Sequence, residues 1–379
     1  MRFSLREFDV GPFASASGAP VPARRWVLIL AATALAPGSA LAHGGEGLAP
    51  DAAWSAWNLT PEISGPILVI LAVYLHGAVR RRSVTQPVSA VRHILFLAGM
   101  LALFLSLQSP IDPMGERLFL AHQIQHLLLR MIGPMLVVLA RPQAVLLAGL
   151  PEALRRRVVA PLMAQGPASR LYHFLTRPFI AFVLFILSLY FWQIPSVHNA
   201  ALLDPLIHWS MHLTMLAAGL LFFAMIFGRR DGPTDPSHFL RIVLLFAGIV
   251  ANILLGAITV FKTRVLYTAY DIEGRLFGIA PLTDETTGGF VLWVPASMMT
   301  IIAIIIVVYD WNLTENRRLR RGHGISGPDY SVKDVPVPEG GERTRIAASS
   351  NRLGLLLGLA ALTMFGLIIG TGVFVVSLG

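Results

Sequence analysis

Residues 204–227 read DPLIHWSMHLTMLAAGLLFFAMIF, and how they are read decides the fold. The stretch holds one acid, at its first position, and no Lys, Arg or Glu. As a helix it is long enough to cross roughly 30 Å of hydrocarbon. Its polar side chains are not scattered. His208, Met211, His212 and Met215 fall at i, i+3, i+4 and i+7, a single stripe on a helix. A segment that otherwise avoids polarity has gathered two imidazoles and two thioethers on one face.

The rest of the chain repeats the apolar pattern. Of 379 residues, 55% are hydrophobic and 13% charged, and the mean hydropathy is +0.66. A soluble domain carries roughly 25% charged residues. Spans are expected at about 62–79, 93–109, 118–140, 178–195, 204–227, 239–260, 288–309 and 353–377. No alternating ten-residue segments argue for a membrane barrel. The fold expected is all-α: a polytopic membrane helix bundle with a seven-span core and one C-terminal span.

Charge sets the orientation. The connections after spans one, three, five and seven hold 21 Lys and Arg, against four in the alternate set. Basic residues are retained on the cytoplasmic side, so residue 43 and the C-terminus are expected outside. The net charge of +9 is accounted for by these connections, and nucleic acid is not an expected partner. Residues 24–42, RRWVLILAATALAPGSALA, have the charged start, apolar middle and small-residue end of a signal peptide, with an uncleaved anchor as the alternative. The expected organisation is therefore a leader with signal peptide or anchor over 1–42 and a periplasmic segment over 43–61. The core follows over 62–310, then a basic cytoplasmic linker over 311–352 and the extra span within 353–379.

Ionisable groups inside a membrane are costly, which makes each one a candidate for function. Span three begins LFLAHQIQHLLLR, placing His122 and His126 at i and i+4, as His208 and His212 are in span five. Both spans start on the outer side, so the two pairs share a depth. Such a pair can grip one ion from a helix face, and neutral imidazole suits copper, zinc, iron and nickel. Two pairs could supply four nitrogens. The chain has no cysteine, which removes thiolate ligands. Met211 and Met215 turn the preference toward copper, Cu(I) above all, because thioether is a soft ligand. His198, Met298 and Asp284 stand near the same side. His43 would be the first residue after cleavage, where its amine and imidazole could chelate Cu(II). Against all this, histidine often serves membrane packing by hydrogen bonding, and methionine is a common core filler. Arg130, one turn below His126, requires a partner, for which Asp204 or backbone carbonyls are the candidates.

With these residues in place, the region 60–310 resembles the CtaG family of multi-span cytochrome c oxidase assembly factors. The resembling elements are Ser109-Pro110, the His122/His126 pair, Gly133-Pro134 and Arg141-Pro142, then the WxxP of Trp192 to Pro195. The His208/His212 pair and the DxxxGGxxxW of Asp284 to Trp293 complete the set. Met211 departs from the family pattern, in which an acid often precedes the second histidine of span five. The resemblance implies a role in maturing a heme–copper oxidase, supplying copper to its catalytic subunit, with His122, His126, His208 and His212 as metal-binding residues. The expected role is that of an assembly factor and not an enzyme, in the bacterial inner membrane, with a periplasmic copper carrier as a further candidate partner. Two other readings fit the histidines: a copper permease, which would need ligands deeper toward His76 and His93, and an electron carrier with bis-His heme.

Overall fold

A computed structural model describes residues 48–81, 88–163, 166–228 and 236–322, with the side chains of 163 and 317–322 excepted. The signal segment, His43, most of the linker and the eighth span lie outside the described residues. Seven helices form the core: α1 (Pro61–Arg80), α2 (Ala90–Gln108), α3 (Phe119–Ala140), α4 (Pro178–Trp192), α5 (Pro205–Phe227), α6 (His238–Phe261) and α7 (Pro281–Gly322). Six are long and apolar enough to cross a membrane by themselves. The exception, α4, reaches that length only with the preceding helix Pro167–Leu175, from which it is bent by 73°. Among the described residues there is no strand.

Successive helices alternate in direction, giving the bundle a histidine end and a basic end. Gln108 at the close of α2 donates to Thr60 Oγ1 at the start of α1 and accepts from the Thr60 amide, both at 2.9 Å. At the other end of the same two helices Tyr74 meets His93 Nδ1 at 2.9 Å. Large side chains such as Leu187, Leu213 and Ile305 are exposed on the bundle surface, as expected where lipid is the solvent.

Two helix approaches position the site. In α3 the backbone widens to π-helical hydrogen bonding over Leu127–Ile132. Pro134 explains the widening: it has no N–H for the Arg130 carbonyl, and its ring would crowd that carbonyl in a regular helix. Gly219 of α5 packs against this carbonyl so closely that a Cβ would lie 2.1 Å from it. The absent side chain lets α3 and α5 touch backbone to backbone. Gly288 in α7 makes room for the first side chain of α3, since a Cβ there would meet the Phe119 ring at 2.3 Å.

The last core helix differs in extent from its expected span. It begins at Pro281, seven residues before the expected 288, and continues to Gly322 beyond the expected 309. Hydropathy marks only the part of a helix that lipid surrounds. The early turns are held by ion pairs, and the late ones are rich in Arg, which favours helix in water as well.

Candidate metal centre

Helices α3 and α5 start in equivalent ways. Asp204 caps α5, accepting from the amides of Leu206 at 2.8 Å and Ile207 at 3.0 Å. Asp284, distant in sequence, caps α3 by accepting from Phe119 at 2.8 Å and Leu120 at 2.9 Å. The first helical residues are thus Phe119 and Pro205, and His122 and His208 each follow three positions later. Equal register from the caps produces equal depth, and the Gly219 contact draws the two helices together.

The four imidazoles form one cluster. Ring centroids lie 4.3 Å apart for His122 and His126 and 4.5 Å apart for His208 and His212. Across the helices His122 is 5.3 Å from His208 and 5.9 Å from His212, and His126 is 5.7 Å from His212. One nitrogen from each of His122, His126 and His212 can be chosen so that all three lie within 4.8 Å of one another. Every ring is buried. Among the described residues, His122 Nε2, both nitrogens of His126 and His212 Nε2 have no hydrogen-bond partner. A buried polar atom without a partner costs about 1–3 kcal/mol, so several together mark a place built for something other than packing. Bonds of roughly 2 Å would need these nitrogens about 3.3–3.5 Å apart, so small rotations of the rings would close the trio on one ion.

Two hydrogen-bond chains descend to the cluster from residues 262–280. Tyr270 lies between His122 Nδ1 at 2.9 Å and His198 Nε2 at 2.8 Å, while His198 Nδ1 meets the Trp192 carbonyl at 3.0 Å. Tyr267 donates to Gln193 Oε1 at 3.1 Å, and Gln193 donates to Gln123 Oε1 at 2.7 Å, one position beyond His122. Burial pushes the His198 imidazole down to about 4. Burial, with the Asp284 carboxylate nearby, pushes the Tyr270 phenol well above its ordinary 10.0, so it keeps its proton.

A buried ion cluster clamps this connection to α7. Arg275 contacts Asp271 at 2.8 Å, Asp284 at 2.6 Å and Glu285 at 2.9 Å. Glu285 also pairs with Lys262 and accepts from the amides of Leu266 and Tyr267, each at 3.0 Å. Both carboxylates are 0–1% exposed, and such charges are retained only when fully paired. Sequence reasoning passed over Tyr267, Tyr270, Lys262 and Arg275. The signal available was the Asp284-Glu285 pair, which needs cations, beside an outer connection that supplies them.

The remaining candidates fall as follows. Met211 and Met215 are fully buried in an apolar cluster with Phe119, Leu189, Trp192 and Tyr270. Both nitrogens of His198 are taken up by the chain just described. Both oxygens of Asp284 serve the α3 cap and Arg275. Met298 is 59% exposed. Of the two partners considered for Arg130 the backbone is the one found: Arg130 donates to the Phe185 carbonyl at 2.6 Å and lies over the Phe185 ring at 3.6 Å, while Asp204 is occupied as a cap. Toward the basic end, His93 bonds Tyr74 and His76 is exposed.

The family described as cytochrome c oxidase caa3 assembly factor (Caa3_CtaG) matches residues 72–313, and the chain belongs to it. The chain is 29% identical over 292 residues to a Mycobacterium bovis protein and 26% identical over 290 residues to one from Mycobacterium leprae, both described as uncharacterized. These alignments cover 74% of this chain but 43% of each relative, so the chain spans under half their length. No solved structure matches the chain.

Proposed function

We propose that this protein is a copper-binding assembly factor, not an enzyme, that supplies copper to the catalytic subunit of a heme–copper oxidase. The observation that carries the reading is the trio His122, His126 and His212, buried and with ligand nitrogens within 4.8 Å of one another. His208 stands beside the trio as a fourth imidazole. No carboxylate belongs to the trio, and the chain has no cysteine. Uncharged ligands in a medium of low dielectric favour the ion of lower charge, so Cu(I) is preferred to Cu(II) or zinc. Imidazoles in contact frame a hole for one ion rather than for a heme macrocycle. Met211 and Met215 pack against the apolar cluster and shape the wall beside the ligands. The basic bias of the alternate connections supports a site on the periplasmic side of the bacterial inner membrane. There a soluble carrier could load it and an oxidase subunit beside it in the membrane could receive the ion.

The test is Cu(I) stoichiometry of the purified protein in detergent or nanodiscs. The unaltered chain is expected to bind one ion, and His122→Ala with His212→Ala to bind none. Unchanged stoichiometry in the double variant would overturn the site.

A further inference from the structure

We infer that Tyr270 and His198 are positioning residues that hold His122 in a single tautomer, with its proton on Nδ1 and its lone pair on Nε2 facing the imidazole cluster. The consequence for metal affinity rests on the copper reading; the tautomer itself does not.

The argument is a count of hydrogens along one chain. The Trp192 carbonyl can only accept, so the nitrogen 3.0 Å away, His198 Nδ1, carries a hydrogen. A neutral imidazole has one N–H, which leaves His198 Nε2 as an acceptor. The group 2.8 Å from it is the Tyr270 hydroxyl, which must therefore donate there. Tyr270 has one hydrogen and has now used it, so toward His122 Nδ1, at 2.9 Å, its oxygen can only accept. His122 Nδ1 is then the N–H, and Nε2 is left with a bare lone pair. Nε2 is also the nitrogen of His122 that has no partner among the described residues. A carbonyl on α4 thus sets the reactive nitrogen of a side chain on α3, through two side chains outside the seven helices. Tautomer control by the hydrogen bond at the other ring nitrogen is a general device at metal sites, and losing it typically costs 10–100-fold in affinity.

The test is nitrogen NMR of the full chain labelled with 15N-histidine, without metal and near neutral pH, with His122→Gln used to assign the His122 signals. The unaltered protein should show a protonated Nδ1 and a pyridine-type Nε2 for His122. Tyr270→Phe should release the bias and lower Cu(I) affinity about 10–100-fold. His198→Phe should reverse the tautomer, because Tyr270 would then have only His122 Nδ1 to donate to. A purely packing role for either residue would not reverse a tautomer. A protonated Nε2 in the unaltered protein, or His122 signals that neither substitution moves, would overturn the inference while leaving copper binding intact. Correct tautomers with no copper bound would support the inference and remove the copper reading alone.

Discussion

The two ends of this bundle are built from opposite materials. Toward the basic end the interior is Phe185, Phe222, Phe223, Met131, Leu245 and Val307, with Phe185 and Phe222 stacked at 4.1 Å. Toward the histidine end the interior holds His122, His126, His198, Gln123, Gln193, Asp284 and Glu285, all nearly inaccessible. Lipid tails are as apolar as the first set, so that end is held by close packing and dispersion. The second set costs free energy to bury and stays folded because nearly every group in it is paired. The exceptions among the described residues gather around His126 and include Gln123 Nε2 and both amide atoms of Asn252. The contrast teaches where to look for function: around His122, His126 and His212, where imidazole nitrogens and the nearby amides of Gln123 and Asn252 have atoms without a hydrogen-bond partner among the described residues.

Breaking either end should separate stability from metal binding. Arg275→Met leaves the buried Asp284 with no cation and Glu285 with Lys262 alone, at an expected cost of about 3 kcal/mol. Because Asp284 also caps α3, Cu(I) binding should fall with the loss of stability, as thermal unfolding and copper titration in one detergent would show. Phe222→Ala opens a cavity at the other end and should cost about 3 kcal/mol. The surviving folded protein should bind copper as before. If Phe222→Ala weakened copper binding as much as Arg275→Met does, the two ends would not be independent.

A milder challenge is pH. His198 sits at about 4 in the folded protein against 6.5 in an exposed chain. The unfolded state therefore binds the extra proton first, and stability falls as pH drops from 6.5 toward 4. Two to three pH units at about 1.4 kcal/mol each amount to about 3 kcal/mol. His198→Phe should make that part of the unfolding profile shallower, and an unchanged slope would show that His198 does not contribute to it. The smallest effect is expected from Met211→Leu. A near-isosteric swap within an apolar cluster should cost under about 1.5 kcal/mol, with copper stoichiometry unchanged. A lost ion would instead place the Met211 sulfur among the ligands.

The site was only partly legible in the sequence. The two HxxxH pairs could be read as sharing a depth, because helical spacing and the alternation of basic connections are local signals, but whether their helices are neighbours could not. That Arg130 would turn to backbone carbonyls was one of two readings the sequence left open, and only the fold shows that the carbonyl is that of Phe185. Tyr270 went unnoticed because its partners lie 72 and 148 residues away. Asp284 drew attention as a carboxylate near the site, and only the fold shows it capping a helix 165 residues earlier in the chain.

Composition and periodicity by themselves determined a helical membrane protein, the order of its core helices, and the depth of His122, His126, His208 and His212. Transfer into lipid is additive along a segment, and helical geometry repeats every 3.6 residues, so both can be read one residue after another. The tertiary structure alone decided which of the polar residues are spent on one another and which are left for an ion. Hydrogen bonds and ion pairs depend on distances of a few ångströms between residues remote in the chain, and those distances exist only once Gly219 and Gly288 have let the helices close.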